Sequence, residues 1–327
     1  MRSIEEIIVI GSGNWGLALA TLFASKLRVR VWAIDQATAR QLESQRDKPG
    51  HYHATPLPAR LKIEVKYSEP FDQEKSLVIL AVPSSQMHSA ATELGRSAER
   101  PLVLTVSKGF DVERQCTMSE VIKRAIPGAR VAVLTGPTIA NEVARGLPTR
   151  AVLAGEDLTS LALVKDALKN DVIALEVSRF PSHHEICAAL KGLVAIAVGL
   201  ADGLELGTNA QGVIMTAGLR ELATVGSFFG VPESVAYGVS GAGDLITTCI
   251  SPESRNRKLG ALLATGLTLE QALETVRMTV EGVAMARTIE TLWSLDVSIP
   301  LFRTVNSILR GECGDIRKEL TELIQSL

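Results

Sequence analysis

Hydrophobic positions change their rhythm once along this chain of 327 residues. In the first part, short apolar runs rich in Val, Ile and Leu recur between segments of helical character. Glu6 to Ile10, Arg28 to Ala33, Leu61 to Val65, Leu77 to Val82, Leu102 to Val106, Arg130 to Thr135, Thr149 to Ala154 and Asp171 to Ser178 have the length and β-branched content of buried strands. Segments that suit helices, such as Gln86 to Arg96, Thr117 to Ile126 and Leu158 to Leu168, lie between them. This alternation predicts a mainly parallel sheet with helices on both faces. Arg179-Phe-Pro-Ser-His-His184 breaks it, no strand pattern follows, and a domain boundary is placed there.

Beyond the break the pattern is helical. Ile186 to Ala201 is apolar almost all round, which predicts a helix buried in the centre of a domain. It is shorter than the ~20 apolar residues that span a bilayer, and it contains Lys191. Asp202 to Asn209 reads as a loop and Val213 to Phe229 as a second apolar helix. Thr268 and Gln271 form a capping box at the start of a helix containing Leu273 and Val276. An ammonium inside an apolar helix is costly unless paired, and desolvation lowers its pKa towards the range of a general acid or base. Lys191 is therefore either such a group or a lysine whose stem snorkels to water.

Composition narrows the classes. Hydrophobic residues make up 46% and charged ones 21%, as in an ordinary globular protein. The formal charge of −2 argues against a nucleic-acid partner, so anion binding is expected to be local. Cys116, Cys187, Cys249 and Cys313 are scattered without a CxxC pair, so neither a zinc site nor a disulfide framework is indicated. The N-terminus lacks the features of a secretory signal, and the expected compartment is the cytosol. His183 and His184 project in different directions and suit a boundary loop or helix start. His51 and His53 lack partners at a metal spacing and read as loop residues, so no metal site is expected.

Gly11-Ser-Gly-Asn-Trp-Gly16 is G-x-G-x-x-G between a strand and a helix. Gly11 permits the tight turn, Gly13 lets a pyrophosphate approach the backbone, and Gly16 allows helix and strand to pack closely. Asp35 lies 19 positions beyond Gly16, near the spacing of the carboxylate that binds the adenosine ribose. There it favours NAD over NADP; alternatively it caps the helix starting near Gln36. Other strands end in polar punctuation, which predicts that Lys108, Gly136 and Thr138 face the cofactor. Ser240 to Cys249 sets Asp244 in a glycine-rich apolar context. Ser254 looks like an N-cap before Arg255, Asn256, Arg257 and Lys258. Cations oppose a helix N-terminus unless an anion binds there, so this is a phosphate turn or a solvated basic surface.

Together these residues resemble the NAD(P)-dependent glycerol-3-phosphate dehydrogenases along nearly the whole chain. The resemblance rests on GSGNWG at Gly11, VPSS at Val82, KG at Lys108, GPTIANE at Gly136, the helix of Lys191, GAGDL at Gly241, SRNR at Ser254 and VEG at Val280. It implies an α/β N-terminal Rossmann domain, residues 1–182, and an all-α C-terminal domain of the 6-phosphogluconate dehydrogenase-like type, residues 183–327. It further implies exchange of hydride between sn-glycerol 3-phosphate and NAD or NADP, giving dihydroxyacetone phosphate, in supply of phospholipid synthesis. By resemblance Lys191 is the catalytic proton acceptor, with Asp244 orienting it or a substrate hydroxyl. Lys108, Gly136, Thr138, Asp244, Ser254, Arg255 and Asn256 match substrate-binding positions. Asn14, Trp15, Ala140 and Glu281 match positions lining the cofactor, to which Lys108 and Arg255 contribute. The chain departs from the family at Gly192, usually Asn, and at Ala217, often Arg. Ile34, apolar as in members that use NAD, reinforces the preference inferred from Asp35. The resemblance allows a homodimer. The alternatives are a related dehydrogenase for another small hydroxy acid, which needs a carboxylate clamp, and a dinucleotide sensor without turnover.

Overall fold

The computed structural model of the chain describes residues 3–46, 56–65, 70–290 and 297–327, so the reading of His51 and His53 lies outside the described residues. The strands are β1 (Glu6–Ile10), β2 (Arg28–Ala33), β3 (Lys62–Val65), β4 (Ser76–Leu80), β5 (Leu102–Thr105), the two-residue β6 (Phe110–Asp111) and β7 (Cys116–Thr117), β8 (Arg130–Thr135), β9 (Thr149–Gly155) and β10 (Ile173–Ser178). Eight of them form one sheet in the order β10-β9-β8-β5-β4-β1-β2-β3. The chain winds outwards from β1 in both directions, so the strand order reverses between β1 and β4, both wholly buried. Ligands of open α/β sheets bind at such a switch point, outside the carboxyl ends of the strands.

The sheet is mainly parallel, with one exception: β8 and β9 run antiparallel. Their connection, residues 136–148, holds only the five-residue helix Ala140–Ala144. Arg30, buried in β2, is accommodated by pairing with Glu6 of β1 at 2.9 Å and Glu64 of β3 at 3.5 Å.

The chain divides into two compact units, Met1–Ser107 with Cys116–Ser182, and Lys108–Gln115 with His183–Leu327. The second includes a segment that the expected division at 182/183 assigns to the first. Phe110 is the physical reason, because its ring is buried in the helical core, 6.4 Å from that of Phe229.

The helical unit is built on the helix Pro181–Gly203, whose most apolar window is long enough to cross a membrane and is 89% buried inside the protein. Neighbouring helices touch it backbone to backbone. A Cβ at Gly199 would run into the Arg257 carbonyl, one at Gly260 into the Ile196 carbonyl, and one at Gly218 would stand 2.5 Å from the Val194 methyls. The expected loop from Asp202 to Asn209 is shorter than the composition suggests. Helices Pro181–Gly203 and Gly207–Phe228 are joined by three residues, and a left-handed Glu205 (φ 54°) reverses the chain. The buried Glu221 accepts the N–H groups of Leu301 at 2.7 Å and Phe302 at 2.8 Å, capping the helix Pro300–Leu309 from 80 residues away.

Candidate active site

In the sheet unit the glycine loop leaves β1 through Gly11, whose φ of 115° excludes most side chains and whose Cβ would lie 2.5 Å from the Ala81 carbonyl at the end of β4. A Cβ at Gly16 would run into the Gly11 carbonyl, whereas one at Gly13 would meet nothing within 4 Å. Two glycines thus serve packing, and the third opens its backbone to space. Gly13 is the N-cap of the helix Asn14–Phe23, which has neither a side-chain cap nor an acidic residue in its first turn. Its leading N–H groups and positive dipole are offered to an anion, as a pyrophosphate requires. Asn14 and Trp15, both half-buried, form that first turn.

A cleft of about 320 Å³ adjoins the loop, lined by Gly11, Gly13, Trp32, Ile34, Val82 and Gln86 among others. Ile34 stands on its rim with 58% of its surface exposed, placing no cation there. Asp35 caps the helix Gln36–Gln45, its Oδ1 accepting from the Thr38 N–H at 2.7 Å, and these bonds hold its carboxyl below the ordinary carboxylate range. The cap is the role that the structure shows for Asp35, and the side chain does not line the cleft. At the carboxyl end of β8 the Thr138 hydroxyl donates to the Gly136 carbonyl at 3.1 Å, and Ala140 opens the next helix. Gly11, Gly136 and Ala140 thus follow the ends of strands β1 and β8.

In the helical unit three charged side chains meet. Lys191 is 7% exposed and Asp244 1%; the Lys191 Nζ lies 2.5 Å from the Asp244 Oδ1. The Lys108 Nζ lies 2.9 Å from the Asp244 Oδ2 and donates to Oδ1 at 3.1 Å. Burial brings the Lys191 ammonium down from 10.5 to about 7; Asp244 opposes the fall and the like charge of Lys108 adds to it. Asp244 begins the helix Asp244–Ile250, after a wide π-turn over Val239–Gly243, and the Thr248 hydroxyl donates to its carbonyl at 2.6 Å. A Cβ at Gly241 would run into the Ala236 carbonyl, so the turn needs its glycine.

The basic turn lies in the same unit. The Ser254 hydroxyl caps the helix Arg255–Ala264 by accepting from the Arg257 N–H at 3.2 Å, and no acidic residue occupies the first turn. Arg255 Nη1 donates to the Thr279 carbonyl at 2.7 Å, and Asn256 Oδ1 accepts from the Gly282 N–H at 3.1 Å. Glu281 opens the helix Glu281–Glu290 next to that bond. Gly192 connects this group to Lys191, since a Cβ there would stand 2.9 Å from the Gly282 Cα and 3.3 Å from the Asn256 Nδ2. The departure from Asn at this position thus coincides with a close crossing of two helix backbones.

Sequence reading missed one buried pair. Of the two readings of His184, the helix start holds: it lies in the first turns of the helix that carries Lys191, and its Nδ1 stands 2.6 Å from the Ser240 hydroxyl, a partner the reading did not give. The spacing sets His184 seven positions before Lys191 and Ser240 four before Asp244, but nothing in the sequence marks the two as partners.

Two family models match the chain: the NAD-dependent glycerol-3-phosphate dehydrogenase N-terminus over residues 6–161 and the corresponding C-terminus over residues 182–317. A glycerol-3-phosphate dehydrogenase [NAD(P)+] of Fusobacterium nucleatum is 34% identical over 309 residues, covering 93% of this chain and 92% of the relative. One of Agathobacter rectalis is 32% identical over 313 residues, covering 94% and 92%. The crystal structure of glycerol-3-phosphate dehydrogenase from Coxiella burnetii matches with a TM-score of 0.91 at 27% identity, covering 98% of this chain and 99% of that one.

Proposed function

Because the chain belongs to the NAD-dependent glycerol-3-phosphate dehydrogenase family, we propose that it interconverts sn-glycerol 3-phosphate and dihydroxyacetone phosphate, using NAD in preference to NADP. The buried cluster of Lys191, Asp244 and Lys108 carries this reading. When bound, NAD would supply the hydride acceptor for C2 of the alcohol, and its reduced form the hydride for the ketone. In oxidation, neutral Lys191 takes the proton of the C2 hydroxyl; in reduction, its ammonium gives a proton to the ketone oxygen. An amine shifted to about 7 exchanges that proton readily near neutral pH.

Asp244 holds the Lys191 Nζ in place and stabilises its charged form. Lys108 matters when Lys191 is neutral, because it still balances the buried carboxylate. Arg255 and the leading N–H groups of its helix hold the phosphate, with Ser254 and Asn256 fixing the turn. Gly136 and Thr138 are assigned to the substrate by the family resemblance. Of the sheet unit, Gly11, Gly13, Asn14, Trp15, Gly16, Ile34, Asp35 and Ala140 are assigned to the cofactor; Glu281, Lys108 and Arg255 are assigned to it by the family resemblance alone. Holding the phosphate positions C2 without taking part in bond making, an orientation effect. The uncharged rim at Ile34 and the carboxylate of Asp35 both disfavour a 2′-phosphate, which supports the NAD preference.

The described cysteines are all free thiols, which supports a cytosolic setting. A homodimer is supported by apolar side chains exposed on the helical unit, among them Phe228, Tyr237, Ile246 and Ile250, and sedimentation tests it. The decisive assay follows oxidation of NADH and of NADPH with dihydroxyacetone phosphate. Turnover with a higher kcat/KM for NADH is expected; absence of turnover with either cofactor overturns the proposed activity.

A further inference from the structure

Lys191 and Asp244 belong to two segments that meet twice. The helix Pro181–Gly203 contributes His184 and Lys191, two helical turns apart and therefore on one face. A helical side chain leans towards the N-terminus of its own helix, which brings the long Lys191 stem back towards the level of His184. The facing segment contributes Ser240, inside the π-turn Val239–Gly243, and Asp244, the first residue after it. One contact is the Lys191–Asp244 pair at 2.5 Å; the other is the His184 Nδ1–Ser240 Oγ hydrogen bond at 2.6 Å.

We propose that the His184–Ser240 bond positions the reacting pair, fixing the π-turn and with it the approach of the Asp244 carboxylate to Lys191. A π-turn is a local departure from the α-helical ladder, often found at functional sites, and here it carries a tertiary partner in His184. His184 and Ser240 are 5% and 1% exposed, so their bond does not compete with water. Burial, and then the neighbouring His183, hold the His184 ring down to about 4, so it stays neutral at physiological pH and the bond does not switch. The charged and titratable groups facing Lys191 are Asp244 and Lys108, with the Cys249 thiol, held up at about 12 by burial, as a third neighbour. Asp244 is the one that raises the affinity of Lys191 for a proton. Loosening the turn therefore weakens that support while Lys108 remains, and Lys191 titrates lower.

The inference rests on the proposed role of Lys191, and its test separates the two. The protein is labelled with carbon-13 at lysine Cε, the Lys191 resonance is assigned by its loss in Lys191→Met, and its titration is followed by NMR. Ser240→Ala, His184→Val and His184→Asn are compared; the last carries an amide nitrogen close to the position of Nδ1. In Ser240→Ala and His184→Val the midpoint should fall by about half a pH unit or more. In both, kcat should fall about tenfold, with the KM for NADH within about twofold of the parent. His184→Asn should restore both. Ser240→Ala removes a single oxygen, so it reports on the folded protein even if His184→Val does not fold. An unchanged or raised midpoint in Ser240→Ala overturns the positioning role, as does a His184→Asn variant as impaired as His184→Val. Full activity of Lys191→Met, with the midpoint shift still present in Ser240→Ala, overturns the catalytic reading of Lys191 and leaves the positional coupling intact.

Discussion

The two units prepare for their ligands in different currencies of structure. In the sheet unit the backbone does the preparing: Gly11 and Gly16 close the loop, Gly13 opens it, and the uncapped start of the helix Asn14–Phe23 supplies N–H groups. All of this lies within six consecutive residues. In the helical unit side chains do it: Lys108, Lys191 and Asp244 come from segments more than fifty residues apart and meet around the buried Asp244 carboxylate. A backbone cradle needs only local geometry, so it tolerates change in the distant core. A buried ion cluster needs the whole helical packing, because each charge is affordable only with its partners in place. Damage to the first should appear as binding; damage to the second should appear as turnover.

The largest break of that contrast is Lys191→Met. It should lower kcat by about 10³-fold or more, within the range for loss of a general acid–base group, and leave NADH affinity unchanged by fluorescence titration. The parent's pH profile should show the same group. Oxidation requires the neutral amine, so its kcat should rise as pH increases through about 7, whereas reduction requires the ammonium and should fall over the same range. Matching profiles in both directions would exclude Lys191 as the proton carrier.

Arg255→Ala comes next. Losing one partner of a phosphate contact should cost roughly 2–5 kcal/mol in substrate binding, seen as a raised KM for dihydroxyacetone phosphate. An unchanged KM would move the phosphate away from this turn.

The glycine loop offers a paired test inside the sheet unit. Gly16→Ala places a Cβ against the Gly11 carbonyl and should cost about 1–3 kcal/mol of stability by overpacking, measured by denaturant unfolding. Gly13→Ala meets open space, so its unfolding should match the parent while NADH binding weakens. Equal destabilisation of the two variants would contradict the division between packing glycines and a ligand-facing one.

The smallest effect is expected at Asp35. Asp35→Ala removes the cap on the helix Gln36–Gln45 and should cost about 1 kcal/mol, with a modest gain in the use of NADPH. An unchanged cofactor ratio would leave Asp35 with its cap alone.

The fold was legible where burial repeats along the chain. β1, β2 and β8 carry runs of buried apolar residues, and such runs declare themselves without knowledge of their neighbours. The antiparallel entry of β9 was not legible, because it depends on which strand β9 pairs with and not on its own pattern of buried residues. Phe110 was also opaque, since an apolar residue shows that it needs a core but not which core. Of the site, Lys191 announced itself as the single charge in the apolar run from Ile186 to Ala201, and Asp244 as a carboxylate among glycines. His184 and Ser240 did not, because a histidine and a serine are common at helix starts and turns, and only their contact distinguishes them.

By itself, then, the sequence determined the local devices: the strands, the glycine loop, the capping box at Thr268 and Gln271, and the N-cap at Ser254. Each is a bargain between residues a few positions apart, fixed by backbone geometry. The tertiary structure alone decided that Lys108 joins Asp244, that Glu221 caps a helix 80 residues away, and that His184 meets Ser240. Those contacts depend on which buried surfaces exclude water together. No spacing along the chain encodes that until the helices have packed.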